Sequence, residues 1–390
     1  MSSPTPNGAP AADEVAALAA EIGKSVAGPN AADVDKHARF PREAIEALKD
    51  AKLMSAMVPV ADGGSGATTA QIGQAVLGLS RHCASTAMIF AMHQIQVASL
   101  VRHGGTAALD AIRDRLVADQ LLLGSATTEK GIGGDVRSST CAVELNGDTY
   151  ELRKDAPVIS YGEFADVIFT TARRTPDSPA SDQSLVACRR EDLSLEPTST
   201  WDTLGFRGTC SPGFIIEASG PAELIFPDPY SDISAETMLP VAHILWSHVW
   251  LGIASSGVST AREFVRKAAR SKPGTTPPGA MRLADLMAIQ QQFSDSVTSA
   301  AARFDANADD RELLSSVSFA IGMNSLKVSS STVVIDIVNR ALLIVGIAGY
   351  REEGKFSMGR VLRDSFGGAL MVNNDRINLN TAQLLLVSKD

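Results

Sequence analysis

Near Ala126 the chain changes its hydrophobic period, and that change constrains the fold more than any other feature. Cys141 to Leu145 and Thr149 to Leu152 alternate in character around Asn146-Gly147. An Asn-Gly pair between alternating runs is a strong hairpin signal. Val167 to Ala172, Ser184 to Cys188, Gly213 to Glu217 and Ala222 to Phe226 read as further short strands, with a polar, Pro-containing loop at Thr175 to Gln183. On either side the period is helical. Val15, Leu18, Ile22 and Val26 recur at spacings of three and four. Pro41 can open a helix through Ile45 and Leu48, Thr69 starts another, and Ala84 to Val101 is a third. Beyond Pro240 the predicted helices cover 242–270, 281–305, 310–346 and 358–387, with Pro273 to Gly279 breaking the first pair. Their lengths suit a four-helix bundle. The reading is an α+β chain, mostly α: a helical unit over 1–125, a β unit over 126–235 and a helical bundle over 236–390. The lack of alternating βαβ units argues against a doubly wound dinucleotide fold.

A chain of 390 residues needs two or three packed units, in agreement with that division. Its net charge of −9, with no Lys/Arg cluster, argues against nucleic acid or an anionic membrane as partner. The cations between Arg262 and Lys272 read as a solvated helix face. Cys83, Cys141, Cys188 and Cys210 show no Cys-x-x-Cys spacing, so buried thiols are expected and no metal site. No run approaches the ~18 apolar residues of a membrane span. Met1 to Ala12 has no basic stretch followed by an apolar one, which makes a cytoplasmic location the expectation.

Several motifs occur in an order that carries a resemblance. A Val-Pro precedes Gly63-Gly64-x-Gly66, and Ala84-Ser85-Thr86-Ala87 leads into Met92-His93. Thr128-Glu129-x-Gly131-x-Gly133-Gly134-Asp135 follows Thr127, then Val158-Ile159-Ser160, Leu204-Gly205-Phe206-Arg207-Gly208-Thr209, Gly346-x-x-Gly349-Tyr350 and Arg363-Asp364. Over about 350 residues this series resembles the acyl-CoA dehydrogenase superfamily. The resemblance implies that family's fold: a helical N-terminal domain, a small β-barrel middle domain and a C-terminal four-helix bundle. It also implies FAD near the interface of a homodimer or homotetramer. Thr127, Thr128, Gly133, Gly134, Asp135, Val158 and Ser160 would lie against the flavin, with Asn373, Asn374 and Arg376 as further polar contacts.

The departures carry the functional reading. Counting from Arg363-Asp364, the family's glutamate base falls on Val372, and a relocated base at the start of the first bundle helix falls on Ala242 or His243. Neither position holds a carboxylate, and removing an α-proton requires a base. The family's Arg grip on a neighbouring FAD falls in Lys267 to Lys272 without its motif. Loss of one charge-assisted contact weakens binding by roughly 1.5–3 kcal/mol. The resemblance therefore points to the two-component branch that borrows FADH2 from a flavin reductase, including the enzymes that hydroxylate indoles in bacterial indolosesquiterpene biosynthesis. In that reading a flavin C4a-hydroperoxide oxidises an aromatic substrate, His93 and Ser160 act beside it, and Met92 and Val372 line the substrate pocket. A dehydrogenase of acyl-CoA or acyl-carrier protein with a displaced base, such as Glu352 or Glu353, and a flavin-free scaffold stay open.

Overall fold

The computed structural model describes residues 8–132 and 136–388. Helices α1 (Val15–Ile22), α2 (Gly28–His37), α3 (Arg42–Asp50), α4 (Thr69–Ser80), α5 (Ala84–His103) and α6 (Ala107–Asp119) build the first unit. Thr68 caps α4 through a capping box with Gln71, which satisfies two backbone donors reciprocally. All but three residues of α5 are buried, so this helix is the core of the unit and not one side of it.

Seven strands follow: β1 (Leu123–Ala126), β2 (Glu144–Asn146), β3 (Thr149–Ala156), β4 (Val167–Arg173), β5 (Gln183–Arg189), β6 (Leu193–Pro197) and β7 (Phe214–Pro221). They form two sheets, ordered β1-β4-β5 and β2-β3-β7-β6. The barrel expected for this unit is not closed. β1 runs parallel to β4, and every other pairing is antiparallel. Asn146 pairs with Thr149, so Gly147 and Asp148 are the hairpin loop, and Gly147 has φ +60°. A residue at that turn position takes positive φ at no steric cost only when it is glycine. The strand expected at Ala222 to Phe226 is instead a 3-10 turn, Ala222–Leu224, followed by a single bridge from Ile225 to Val186.

The chain then continues through α7 (Tyr230–Ile233), α8 (Leu239–Ser271), α9 (Gly279–Ala306), α10 (Arg311–Leu314), α11 (Val317–Val345), α12 (Ile347–Tyr350), α13 (Gly359–Leu370) and α14 (Asn374–Leu385). The helix expected over 358–387 breaks at 371–373, where Val372 adopts φ +44°. Contrary to the sequence expectation on spans, three helices among the described residues are long and apolar enough to cross a membrane by length and composition. The protein itself covers the two that include α5 and α8, whose most apolar windows are 89% buried. In α11 only 44% is buried, and Leu343 together with Ile347 and Tyr350 of α12 stays exposed.

Candidate functional site

The turn after β3 and the segment that leaves β1 lie together. Thr128 Oγ1 donates to the Val158 carbonyl at 3.2 Å, and the Lys130 amide donates to the Asp155 carbonyl. On the other side the Ile159 amide donates to Pro212 and the Tyr161 amide to Thr209. The expected Val158–Ser160 segment is thus held between two loops, beyond the end of β3 and not within a strand. Thr127 and Thr128 are half-buried beside it. Gly133, Gly134 and Asp135 lie outside the described residues.

Behind Ser160 stands a hydroxyl chain that the sequence did not reveal. Ser211 Oγ donates to Ser160 Oγ at 3.0 Å and lies 2.9 Å from Thr209 Oγ1, itself 2.9 Å from the Phe206 carbonyl. Ser211 and Thr209 are buried while Ser160 is half-exposed. Ser160 accepts from behind and keeps its own proton to donate forward. The same loop docks on the bundle: the Phe206 amide donates to Asp364 Oδ1 at 2.7 Å. Gly205 and Gly367 permit this approach, since a Cβ at Gly205 would meet the Arg363 carbonyl at 2.4 Å and one at Gly367 would meet the Phe206 ring at 2.6 Å.

His93 has a different role from the one the resemblance implied. It is fully buried on α5. Its Nε2 donates to the Met54 carbonyl at 2.8 Å, and its Nδ1 accepts the Leu123 amide at 3.0 Å. Both ring nitrogens are committed to backbone, which fixes the neutral tautomer. Burial pushes its pKa down to about 4. His93 is a joint between the helical unit and β1, with no nitrogen left for a substrate. Met92, one residue earlier, is half-buried at the margin of the core.

Around Val372 the bundle supplies an unexpected cation. Lys327 on α11 has a buried side chain, and its Nζ donates to the Val372 carbonyl at 2.6 Å and to Asn374 Oδ1 at 2.7 Å. It also lies 5.8 Å from the centre of the Trp250 ring. Burial brings its pKa down to about 8. Asn374 is therefore bound to Lys327 and Ser331, and Asn373 Oδ1 caps α14 by accepting the Asp375 amide at 2.7 Å. Of the three polar residues expected here, Arg376 alone is exposed with no hydrogen bond from its side chain among the described residues. A lysine on the face shared by Met323, Leu326, Ser330 and Val334 was the available signal for Lys327.

Three carboxylates bear on the question of a base, Glu129, Glu352 and Glu353. Glu129 is buried and accepts from Ser139 Oγ, Thr140 and the Cys141 amide, 3.8 Å from the buried Lys154 Nζ. Burial favours its neutral form, yet these donors and Lys154 together hold its pKa below the usual value. Glu352 and Glu353 are exposed in the turn before α13. Ala242 and His243 are buried on α8. His243 Nδ1 bonds the Met323 carbonyl at 3.0 Å, and its Nε2 makes no hydrogen bond among the described residues. Among the described residues no group of three or more His, Cys, Asp or Glu side chains is placed to hold a metal.

The chain matches two family models, "Acyl-CoA dehydrogenase, N-terminal domain" over residues 10–112 and "Acyl-CoA dehydrogenase, C-terminal domain" over residues 234–371. It is 24% identical over 357 residues to a probable acyl-CoA dehydrogenase of Mycobacterium tuberculosis, covering 90% of this chain and 89% of that one. It is 23% identical to the cyclohex-1-ene-1-carbonyl-CoA dehydrogenase of Syntrophus aciditrophicus, covering 86% and 80%. Among solved structures it resembles butyryl-CoA dehydrogenase from Megasphaera elsdenii, with a TM-score of 0.82 at 20% identity. It also resembles the dibenzothiophene monooxygenase of Paenibacillus sp. A11-2, with a TM-score of 0.79 at 17% identity. Each of the two structural likenesses covers 96% of this chain and 97% of the other.

Proposed function

Because the chain belongs to the acyl-CoA dehydrogenase superfamily yet holds a valine where its dehydrogenases keep their glutamate base, we propose that it is an FADH2-dependent monooxygenase acting on an aromatic, indole-type substrate. The fold cannot decide between the two chemistries, since structures of both kinds share it. The observation that carries the reading is Val372, whose side chain has no proton acceptor and whose carbonyl is tied to Lys327.

The site fits a flavin. Val158 and Val372 are 39% and 38% exposed, apolar surface of the kind a tricyclic ring covers. Ser160 offers a hydroxyl proton, Thr127 borders it, and Arg376 has a free guanidinium for phosphate. The far grip is poor. Ala268 takes the place of the family's Arg, and Lys267 lies 5.5 Å from the Phe356 ring centre. The reading therefore includes loosely bound FAD and a separate flavin reductase as partner. Reduced flavin would supply two electrons to dioxygen, one oxygen atom passing to the substrate and the other to water. Ser160 would hold a proton toward the oxygen, backed by Ser211, and the apolar wall would exclude water.

The test supplies the purified protein with reductase, NADH, FAD and indole, and in a parallel arm with an acyl-CoA. Hydroxylated product is expected in the first arm, and no enzyme-like reduction of FAD in the second. Flavin bleaching by an acyl-CoA in the unmodified protein would sink the reading. Val372→Glu is expected to bring measurable acyl-CoA-dependent reduction. Its backbone tolerates the change, because β-branched valine suits φ +44° less than glutamate does. For Ser160→Ala the expected result is uncoupling: the ratio of peroxide to product rises about 10-fold, equivalent to about 1.4 kcal/mol at the transition state. An unchanged ratio would reduce Ser160 to a turn-forming serine.

A second reading has one observation in its favour. The relocated-base position falls on Ala242 or His243, and His243 Nε2 makes no hydrogen bond among the described residues, so a dehydrogenase could use it. Burial lowers its pKa to about 4, and so weak a base is poorly matched to α-proton removal at neutral pH. The first reading is preferred on that ground. Either way a homodimer or homotetramer is proposed, since Leu343, Ile347, Tyr350, Leu379 and Leu386 expose large apolar side chains. Light scattering at the monomer mass alone would contradict this.

A further inference from the structure

Away from the Ser160 face, the last turn of α4 and the facing sides of α8 and α9 enclose a cavity of about 580 Å³. None of the residues assigned above to flavin or substrate lines it. Its charge has one sign. Arg81, His82 and Arg262 border it, and no carboxylate does. Arg81 and Arg262 are exposed, and neither guanidinium has a hydrogen-bond or ion-pair partner among the described residues. In a protein of net charge −9, two unpaired arginines at one cavity mark a place where an anion is welcome. Burial first, then the charges of Arg81, Lys24 and Arg360, lower the pKa of His82, so cations approach this corner from two further positions, Lys24 and Arg360.

The remaining wall mixes apolar side chains, Leu77, Leu251, Val258 and Met287, with hydroxyl groups. Ser255, Ser259 and Ser294 lie along it. Gln290 Nε2 donates to Ser255 Oγ at 2.9 Å, while Gln290 Oε1 is buried with no partner. A buried acceptor without a donor costs free energy that a bound O–H would recover once a turn of the Gln290 side chain brings Oε1 into the cavity. The two requirements are complementary: the guanidiniums lack acceptors and the glutamine lacks a donor.

We infer that this cavity binds a phosphate monoester with a hydroxyl-bearing body, of the sugar-phosphate class, at a site separate from the flavin. The phosphate lies at Arg81 and Arg262, whose planar forks match phosphate oxygens. The hydroxyls face Gln290 Oε1 and the serines. The volume falls within the range of small-molecule sites. This inference is independent of the oxygenase reading.

Calorimetric titration of the full-length protein with ribose 5-phosphate tests it, with ribose, inorganic phosphate and FAD as the other probes. Saturable binding of ribose 5-phosphate is expected, weaker binding of inorganic phosphate and none of ribose. Arg81→Gln combined with Arg262→Gln should weaken binding at least 10-fold, about 1.4 kcal/mol. Both residues are exposed, so the melting temperature without ligand should not change. Gln290→Leu should selectively weaken ribose 5-phosphate and not inorganic phosphate, and Ser160→Ala should leave both unaffected. No saturation by about 10 mM ligand, a weak limit of roughly 2.7 kcal/mol, would overturn the inference. So would undiminished binding by the arginine variant. Competition by FAD would also overturn it, by giving the cavity to the flavin's own phosphates.

Discussion

Acidification from pH 7 to about pH 4 is expected to remove most of the protein's stability, with the loss concentrated below pH 6.5. Three histidines decide this. His93, His243 and His248 are each fully buried, and burial lowers each pKa from 6.5 to about 4. Between those values the unfolded chain binds more protons than the folded one, so stability falls as pH falls. Each histidine contributes on the order of 3 kcal/mol by pH 4. Asp364 opposes them. Burial raises its pKa from 3.8 to about 6. The folded state therefore holds the extra proton in that window, and stability gains roughly 2–3 kcal/mol as the pH falls through it. Three against one leaves a net loss on the order of 6 kcal/mol, comparable with the whole stability of many proteins. Denaturant midpoints measured from pH 7 to pH 4 test the claim, and a flat profile would refute it. His248 also isolates one contributor. Its Nδ1 bonds the Ile244 carbonyl at 2.9 Å, its Nε2 has no partner, and its ring fills the space over Gly73. His248→Leu should therefore reduce the pH dependence by about a third of the histidine total.

Much of this molecule is legible in its sequence, and the parts that are not share a physical cause. The order of helical unit, β unit and bundle follows from the change of period near Ala126 and the return of helical spacing after Pro240. β1 was missed because Leu123–Ala126 is four residues long and contains Gly124, which reads as a continuation of the loop after α6. The break between α13 and α14 holds no glycine or proline of its own, and Gly367-Gly368 lies before it, inside α13. Val372 takes positive φ there, and its carbonyl is held by Lys327, 45 residues earlier. Similarly, Ser160 could be picked out by its motif, but Ser211 behind it could not, since the pair lies 51 residues apart in the chain. Motif order locates a site's front row. What stands behind it depends on long-range contacts that no local period encodes.

His93→Ala is expected to destabilise the fold by about 3–5 kcal/mol without changing how tightly turnover is coupled. Removing a buried ring of this size leaves a cavity, and large-to-small changes in cores cost about 2–5 kcal/mol. The polar cost adds to it selectively. The Met54 carbonyl would keep a partner, because Gln94 Nε2 donates to it at 3.1 Å. The Leu123 amide would lose the ring nitrogen it donates to, at the first residue of β1, and an orphaned buried donor costs about 1–3 kcal/mol. The damage should therefore appear at the junction of α5 and β1, where the Met54 amide also donates to Gln120 Oε1. His93→Gln provides the folded control, since one side-chain amide can both donate and accept. It should recover at least half of the lost stability, measured by denaturant titration. In the reductase-coupled assay its ratio of peroxide to product should equal that of the unmodified protein. A rise of about 10-fold in that ratio at unchanged stability, the signature expected of Ser160→Ala, would return His93 to the catalytic machinery and refute its assignment as a joint.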